Sequence, residues 1–136
     1  MEDKRPKVGS AVLVEKDGKF LLGERNKENY NGYWVIPGGG VNWGETLKDA
    51  GAREIKEETG LDVEITKLIG WKEIMNLPGN YHTVVFFHLA RLRDQKAELK
   101  PGDDLSKAGF FSIEEIKKMK AAESVKWVLQ QAGFWK

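Results

Sequence analysis

Glu54, Glu57 and Glu58 fall within one short stretch, Arg53-Glu54-Ile55-Lys56-Glu57-Glu58, of a 136-residue chain. Thr46 to Thr59 reads as a helix, with Thr46 as N-cap and Gly60 as the stop. With Leu47 at zero and about 100° per residue, Leu47, Ala50, Gly51 and Ile55 share an arc of about 140°, the face to be buried. Glu54 falls at about −20°, Glu58 at about +20° and Glu57 at about −80° on that wheel. Lys48, Asp49, Ala52 and Lys56 take the opposite, solvated side. A solvated face laced with i, i+4 pairs explains Lys48, Asp49 and Lys56, but not two like charges turned inward. Clustered, partly desolvated carboxylates repel unless something cationic joins them. An all-oxygen donor set favours Mg2+ or Mn2+ over zinc. Arg53, four residues before Glu57, can pair with it and hold it in place.

Other elements must bring a partner surface to that helix. Directly ahead lies Pro37-Gly38-Gly39-Gly40, whose glycines permit a close backbone approach that side chains would block. Beside an inward carboxylate cluster this turn becomes a candidate wall for phosphate and metal. Val8–Val14 and Phe20–Leu22 read as strands joined at Asp17-Gly18, and Tyr33–Ile36 as a third strand, stopped by Pro37. Val63–Met75 and Tyr81–Arg91 are strand-rich around the turn Asn76–Asn80, and 97–106 reads as a polar loop. Ser112-Ile113-Glu114-Glu115 is a capping box, and Val125, Val128, Leu129 and Ala132 stripe a last helix from about Glu123. Strands and helices mix without regular βαβ alternation, which predicts a mixed sheet flanked by helices.

Composition narrows the classes. The length suits a single domain, 1–136, and 14 aromatics spread along the chain argue against disorder. Twenty-two basic and 21 acidic residues give a net charge of +1, without the basic excess of many nucleic-acid binders. The chain has no cysteine, which excludes disulfide frameworks, zinc-thiolate sites and thiol nucleophiles. The longest apolar run, Val84-Val85-Phe86-Phe87, is far short of a membrane span, and the first residues lack a secretory h-region, so a cytoplasmic protein is expected.

Together these residues resemble the Nudix box, G-x5-E-x7-R-E-U-x-E-E-x-G-U with U a bulky aliphatic. Gly39, Glu45, Arg53, Glu54, Ile55, Glu57, Glu58, Gly60 and Leu61 occupy every fixed position. Gly23-Glu24-Arg25 and Gly32-Tyr33-Trp34-Val35-Ile36-Pro37 look like the strand leading into it. The resemblance implies an α/β/α sandwich with a mixed sheet, and Mg2+-dependent hydrolysis (Mn2+ as an alternative) of a nucleoside diphosphate linked to another moiety. By the same carry-over Glu54, Glu57 and Glu58 are metal ligands, with the Gly39 carbonyl a further one; Arg53 orients the glutamates and Glu45 is structural. Gly38, Gly39, Gly40, Arg25 and Asp103 are the expected substrate contacts. Glu54 is one candidate for the base that takes a water's proton, and Asp103 and Asp104 are others. Several subfamilies carry an acid nearer the following aromatic, where this chain has Lys107, so the base stays open.

The box lead-in looks like that of nucleotide-sugar hydrolases such as those acting on GDP-mannose. Those enzymes have a degraded box and cleave at sugar carbon, whereas the intact run here argues for attack at phosphorus. Nucleoside triphosphates and ADP-ribose remain equally open, with a nucleoside monophosphate as product. A nucleotide-binding sensor that has lost turnover is the alternative, and an RNA decapping role lacks a basic tail in its favour. Trp34 is expected in the core, Trp43 as a cover over the site or a surface on which a base stacks, with the cover favoured, and His82 as structural. Trp71, Tyr81 and Phe87 read as core or base-stacking, and Trp127, Phe134 and Trp135 as packing for the last helix or a homodimer contact.

Overall fold

The computed structural model describes residues 4–27, 30–100 and 105–136. Seven strands and three helices follow in the order β1 (Lys7–Lys16), β2 (Lys19–Arg25), β3 (Trp34–Val35), β4 (Gly38–Gly40), α1 (Leu47–Thr59), β5 (Val63–Asn76), β6 (Tyr81–Leu92), β7 (Leu105–Phe111), α2 (Ile113–Ile116) and α3 (Glu123–Gln131). The sheet runs β3-β2-β1-β6-β5, with β4 joined to β1 and β7 to β2. β1 and β6 are parallel, with Ser10 opposite Phe86 and Val12 opposite His88, while the other ladders are antiparallel. The expected mixed sheet is therefore present.

The middle of β1, Ala11 to Val14, is an unbroken apolar run because both its faces are covered, the usual cause of such a run in a central strand. Ala11 and Leu13 join Phe20, Leu22, Phe87, Val125, Val128 and Leu129 in one core beneath α3. Val12 and Val14 join Leu21, Ile55, Leu61, Val63 and Leu92 in the other, beneath α1. These two cores are the two sides of the expected α/β/α sandwich. Ile55 has no exposed surface and is the anchor of α1; truncating such a residue to Ala costs about 2–5 kcal/mol.

α1 starts and stops where its caps dictate. The Thr46 side chain accepts from the Asp49 amide at 3.1 Å, and Gly60, at φ 75°, donates its N–H to the Lys56 carbonyl. The helix lies close on β1 because position 51 carries no side chain. A Cβ there would sit 2.8 Å from Val12 Cγ2 and 2.9 Å from Ser10 Oγ. The Ser10 hydroxyl also donates to the Leu47 carbonyl at 2.7 Å, tying the start of α1 to β1.

Two strands lie where the sequence suggested none. Gly38–Gly40, expected as a turn, is β4, pairing Gly39 with Ser10 and Gly38 with Ala11. β7 begins at Leu105, inside the stretch expected to be a loop, and pairs along β2 from Phe20 to Arg25. Ala52, placed by the wheel on the solvated side, is half-buried against the α1-side core. Trp34 packs on Phe111 with ring centroids 5.1 Å apart, as expected of a core residue. Trp127 and Phe134 hold the chain end down, against Phe87 and Phe20 respectively. Among the described residues no helix is long and apolar enough to cross a membrane.

Candidate active site on the acidic flank of α1

Arg53 organises one flank of α1. Its Nε donates to Glu45 Oε2 at 2.7 Å and its Nη2 to Glu45 Oε1 at 3.0 Å, a two-pronged pair. Nη2 also reaches the Gly40 carbonyl at 2.9 Å, so one side chain joins the helix, the loop before it and β4. Nη1 donates to Glu54 Oε1 at 2.9 Å and to both Glu57 oxygens, at 2.9 and 3.2 Å. A planar guanidinium presents the fixed fork this geometry requires; an ammonium does not. The hydrogen bonds Arg53 donates, first to Glu45 and then to Glu57, raise its pKa above the ordinary value. The same contact, with the Asn42 amide, holds the Glu45 carboxyl below the usual carboxylate range. The expected Arg53–Glu57 pair is thus present, as part of a larger network.

The three helical glutamates lie at different depths. Glu58 is only 5% exposed, the Glu54 side chain 13% and the Glu57 side chain 54%. Three like charges on one helix flank repel, and Arg53 gathers Glu54 and Glu57. Among the described residues no three His, Asp or Glu side chains converge on one metal-sized position. Gly39 marks where β4 meets the cluster: a Cβ on it would stand 2.5 and 2.6 Å from the two Glu54 oxygens. Only glycine lets this strand lie against a carboxylate, and the contact brings Gly39 and Glu54 together. Carboxylate and carbonyl oxygens are the donors a hard divalent cation takes, and the Glu54 carboxylate against a glycine backbone offers that type.

The remaining predicted residues scatter. Arg25 ends β2 at a register shift, its amide bonded to the Tyr33 carbonyl and its own carbonyl to the Gly32 amide. Tyr81 is half-buried near the Arg25 charge, its ring centroid 6.4 Å from that of Tyr30, and burial raises its pKa. Asp103 and Asp104 lie outside the described residues. Trp43 is fully exposed and covers nothing, contrary to its expected place over the site. Phe87 is core, whereas Trp71 is 60% exposed. His82 pairs with Glu73 at 2.7 Å, a structural contact as expected. Sequence reasoning did not single out Ser10 or His88, although His88 falls in the period-2 alternation of β6.

A NUDIX domain model matches residues 3–131. The chain belongs to the NUDIX family. It is 35% identical over 114 residues to an ADP-ribose pyrophosphatase of Methanocaldococcus jannaschii, covering 84% of this chain and 66% of that one. It is 38% identical over 91 residues to an m7GpppN-mRNA hydrolase of Xenopus laevis, covering 58% of this chain and 31% of the relative. The chain thus spans less than two thirds of each of these curated relatives. The crystal structure of a MutT NUDIX hydrolase from Burkholderia pseudomallei superposes with a TM-score of 0.83 at 26% identity, covering 93% of this chain and 98% of that one. Enzymes of this family generally use divalent metals.

Proposed function

We propose that this NUDIX chain is a divalent-metal-dependent hydrolase that cleaves the diphosphate linkage of a nucleoside diphosphate derivative and releases a nucleoside monophosphate. The observation that carries this reading is the Gly39–Glu54 contact, locked by Arg53 between helix and strand. Mg2+ is the preferred ion and Mn2+ the substitute, both suited to carboxylate and carbonyl oxygens. Glu54, Glu57, Glu58 and the Gly39 carbonyl would hold it. A bound divalent cation supplies charge neutralisation for the diphosphate and acidifies a water.

The chain's own residues do the rest. Arg53 fixes Glu54 and Glu57 so that neither drifts from the cleft, and Glu45 keeps Arg53 oriented through its two-pronged contact. Gly38, Gly39 and Gly40 offer backbone without side chains, so an anionic group can approach β4 closely. Arg25 is assigned to a substrate phosphate. Glu54 is the described carboxylate best placed to take the proton of the attacking water, held within the Arg53 network against β4. Asp103 is kept as a further substrate contact and, with Asp104, as an alternative base.

ADP-ribose leads the substrate classes, because the relative that covers most of this chain is named for it. The testing panel holds ADP-ribose, nucleotide sugars, nucleoside triphosphates and capped RNA, each with excess Mg2+ and an EDTA control. AMP from ADP-ribose, lost with EDTA, is the expected result. Tight nucleotide binding without turnover of any substrate would convert the reading to a sensor.

A further inference from the structure

The opposite flank of α1 carries a different construction. His88 is only 2% exposed, and neither of its ring nitrogens has a hydrogen-bond partner among the described residues. It lines a cavity of about 400 Å³ between the start of α1 and β5. Leu47, Ile65 and Leu68 form apolar walls, and Lys48 and Lys67 stand at the rim. Among the described residues no acidic side chain lines the cavity. β5 slips register twice along this stretch, between Ile65 and Lys67 and between Leu68 and Gly70. Such bulges re-aim side chains at sites.

Leaving a buried ring nitrogen unbonded costs about 1–3 kcal/mol, so a residue so placed calls for a partner. The ring offers one donor and one acceptor when neutral. Burial, then the Lys48 charge, pushes its pKa below the ordinary histidine value, favouring that form. The 13-residue α1 directs the positive end of its dipole at the same mouth. Cavities of this size and lining, with few convergent polar groups, take small molecules.

We propose that this cavity is a second small-molecule site, taking one amphipathic anion with a short alkyl or aryl body and a carboxylate or phosphate head. The body fills the space between Leu47, Ile65 and Leu68. The head meets Lys48 of the first turn of α1 and Lys67 of β5 at the mouth, above the buried His88 ring. The site lies across α1 from the Arg53 network and does not depend on the hydrolase reading.

Hexanoate, benzoate and phenyl phosphate are titrated into the full chain, with 1-hexanol as the uncharged comparison. His88 ring and Lys67 amide resonances are followed by NMR. Saturable shifts of both by at least one anion, in roughly the millimolar range expected of so small a ligand, with hexanol at least tenfold weaker, are the expected result. Carboxylate and phosphate heads are told apart by which anion saturates first. The exposed double change Lys48→Glu and Lys67→Glu should weaken the anion at least tenfold while leaving the melting curve near that of the wild type. His88→Gln tests the inner contact in the same way. Absence of saturation by all three anions, equal binding of hexanol, or shifts confined to Glu54 and Glu58 would overturn the proposal.

Discussion

The two flanks of α1 solve opposite problems with the same thirteen residues. On one, Arg53 bonds Glu54 and Glu57 of the helix, and Glu45 just ahead of it, into a network tied to β4. On the other, a buried ring with no hydrogen-bond partner among the described residues lies beside a largely apolar cavity with lysines at its rim. The acidic flank is specified by charge and fixed distances, and a subtle change there breaks alignment. The histidine flank is specified by packing and register, so function there tolerates exchange of walls more readily than exchange of the ring. A helix can carry both because residues three and four apart share a face while their neighbours turn away.

The largest expected effect separates the flanks outright. Glu58→Gln should lower turnover by about 10²–10³-fold, the range for losing one preorganised charge-stabilising group. Its far-ultraviolet circular dichroism should match the wild type, and binding at the His88 cavity should be unchanged. Undiminished turnover in a folded variant would remove Glu58 from the proposed machinery.

Arg53→Lys comes next. An ammonium cannot contact Glu45, Glu54, Glu57 and Gly40 together, so kcat should fall about 10–100-fold, as for other residues that orient metal ligands. Because Arg53 acts through its neighbours, excess divalent metal should recover part of the loss. A purely structural role predicts no such recovery.

How far the sequence carried these expectations follows from distance along the chain. The acidic flank was legible because its parts lie between Gly39 and Leu61, where helical periodicity and caps set the geometry locally. β4 was not legible: Gly38, Gly39 and Gly40 have no side-chain alternation to read, and their pairing is decided by β1. β7 was hidden for a related reason, since its partner β2 lies about eighty residues earlier and supplies the strand's order. The cavity beside His88 brings the start of α1 against β5, a strand with two register slips, and that juxtaposition has no local signature. Trp43 shows the reverse error, a large aromatic credited with a cover that the chain does not give it.

A smaller effect touches both flanks at their common origin. Thr46→Ala removes the side chain that accepts from the Asp49 amide. It should cost about 1 kcal/mol, read as a Tm lowered by several degrees. Since α1 remains anchored by Ile55, turnover should change less than stability.

Protonation gives the gentlest test. The His88 pKa is below that of the unfolded chain, so its contribution to stability is complete above about pH 6.5. As pH falls below that value the unfolded chain takes up the proton first, and stability is lost towards the folded pKa. The Tm difference between pH 7.5 and 5.5 should therefore be larger for wild type than for His88→Gln. An anion seated beside His88 should shrink the difference by stabilising the charged ring.

β1 feeds one core with Ala11 and Leu13 and the other with Val12 and Val14. A single inserted or deleted residue in that strand would exchange both sets at once and ruin two packings in one event. β5 has already absorbed register slips at two places while keeping its ladder with β6. Change in length during descent is therefore closed to the centre of the sheet and open along its outer strand. In this lineage, new binding chemistry can arise at β5 without disturbing the residues that face β4.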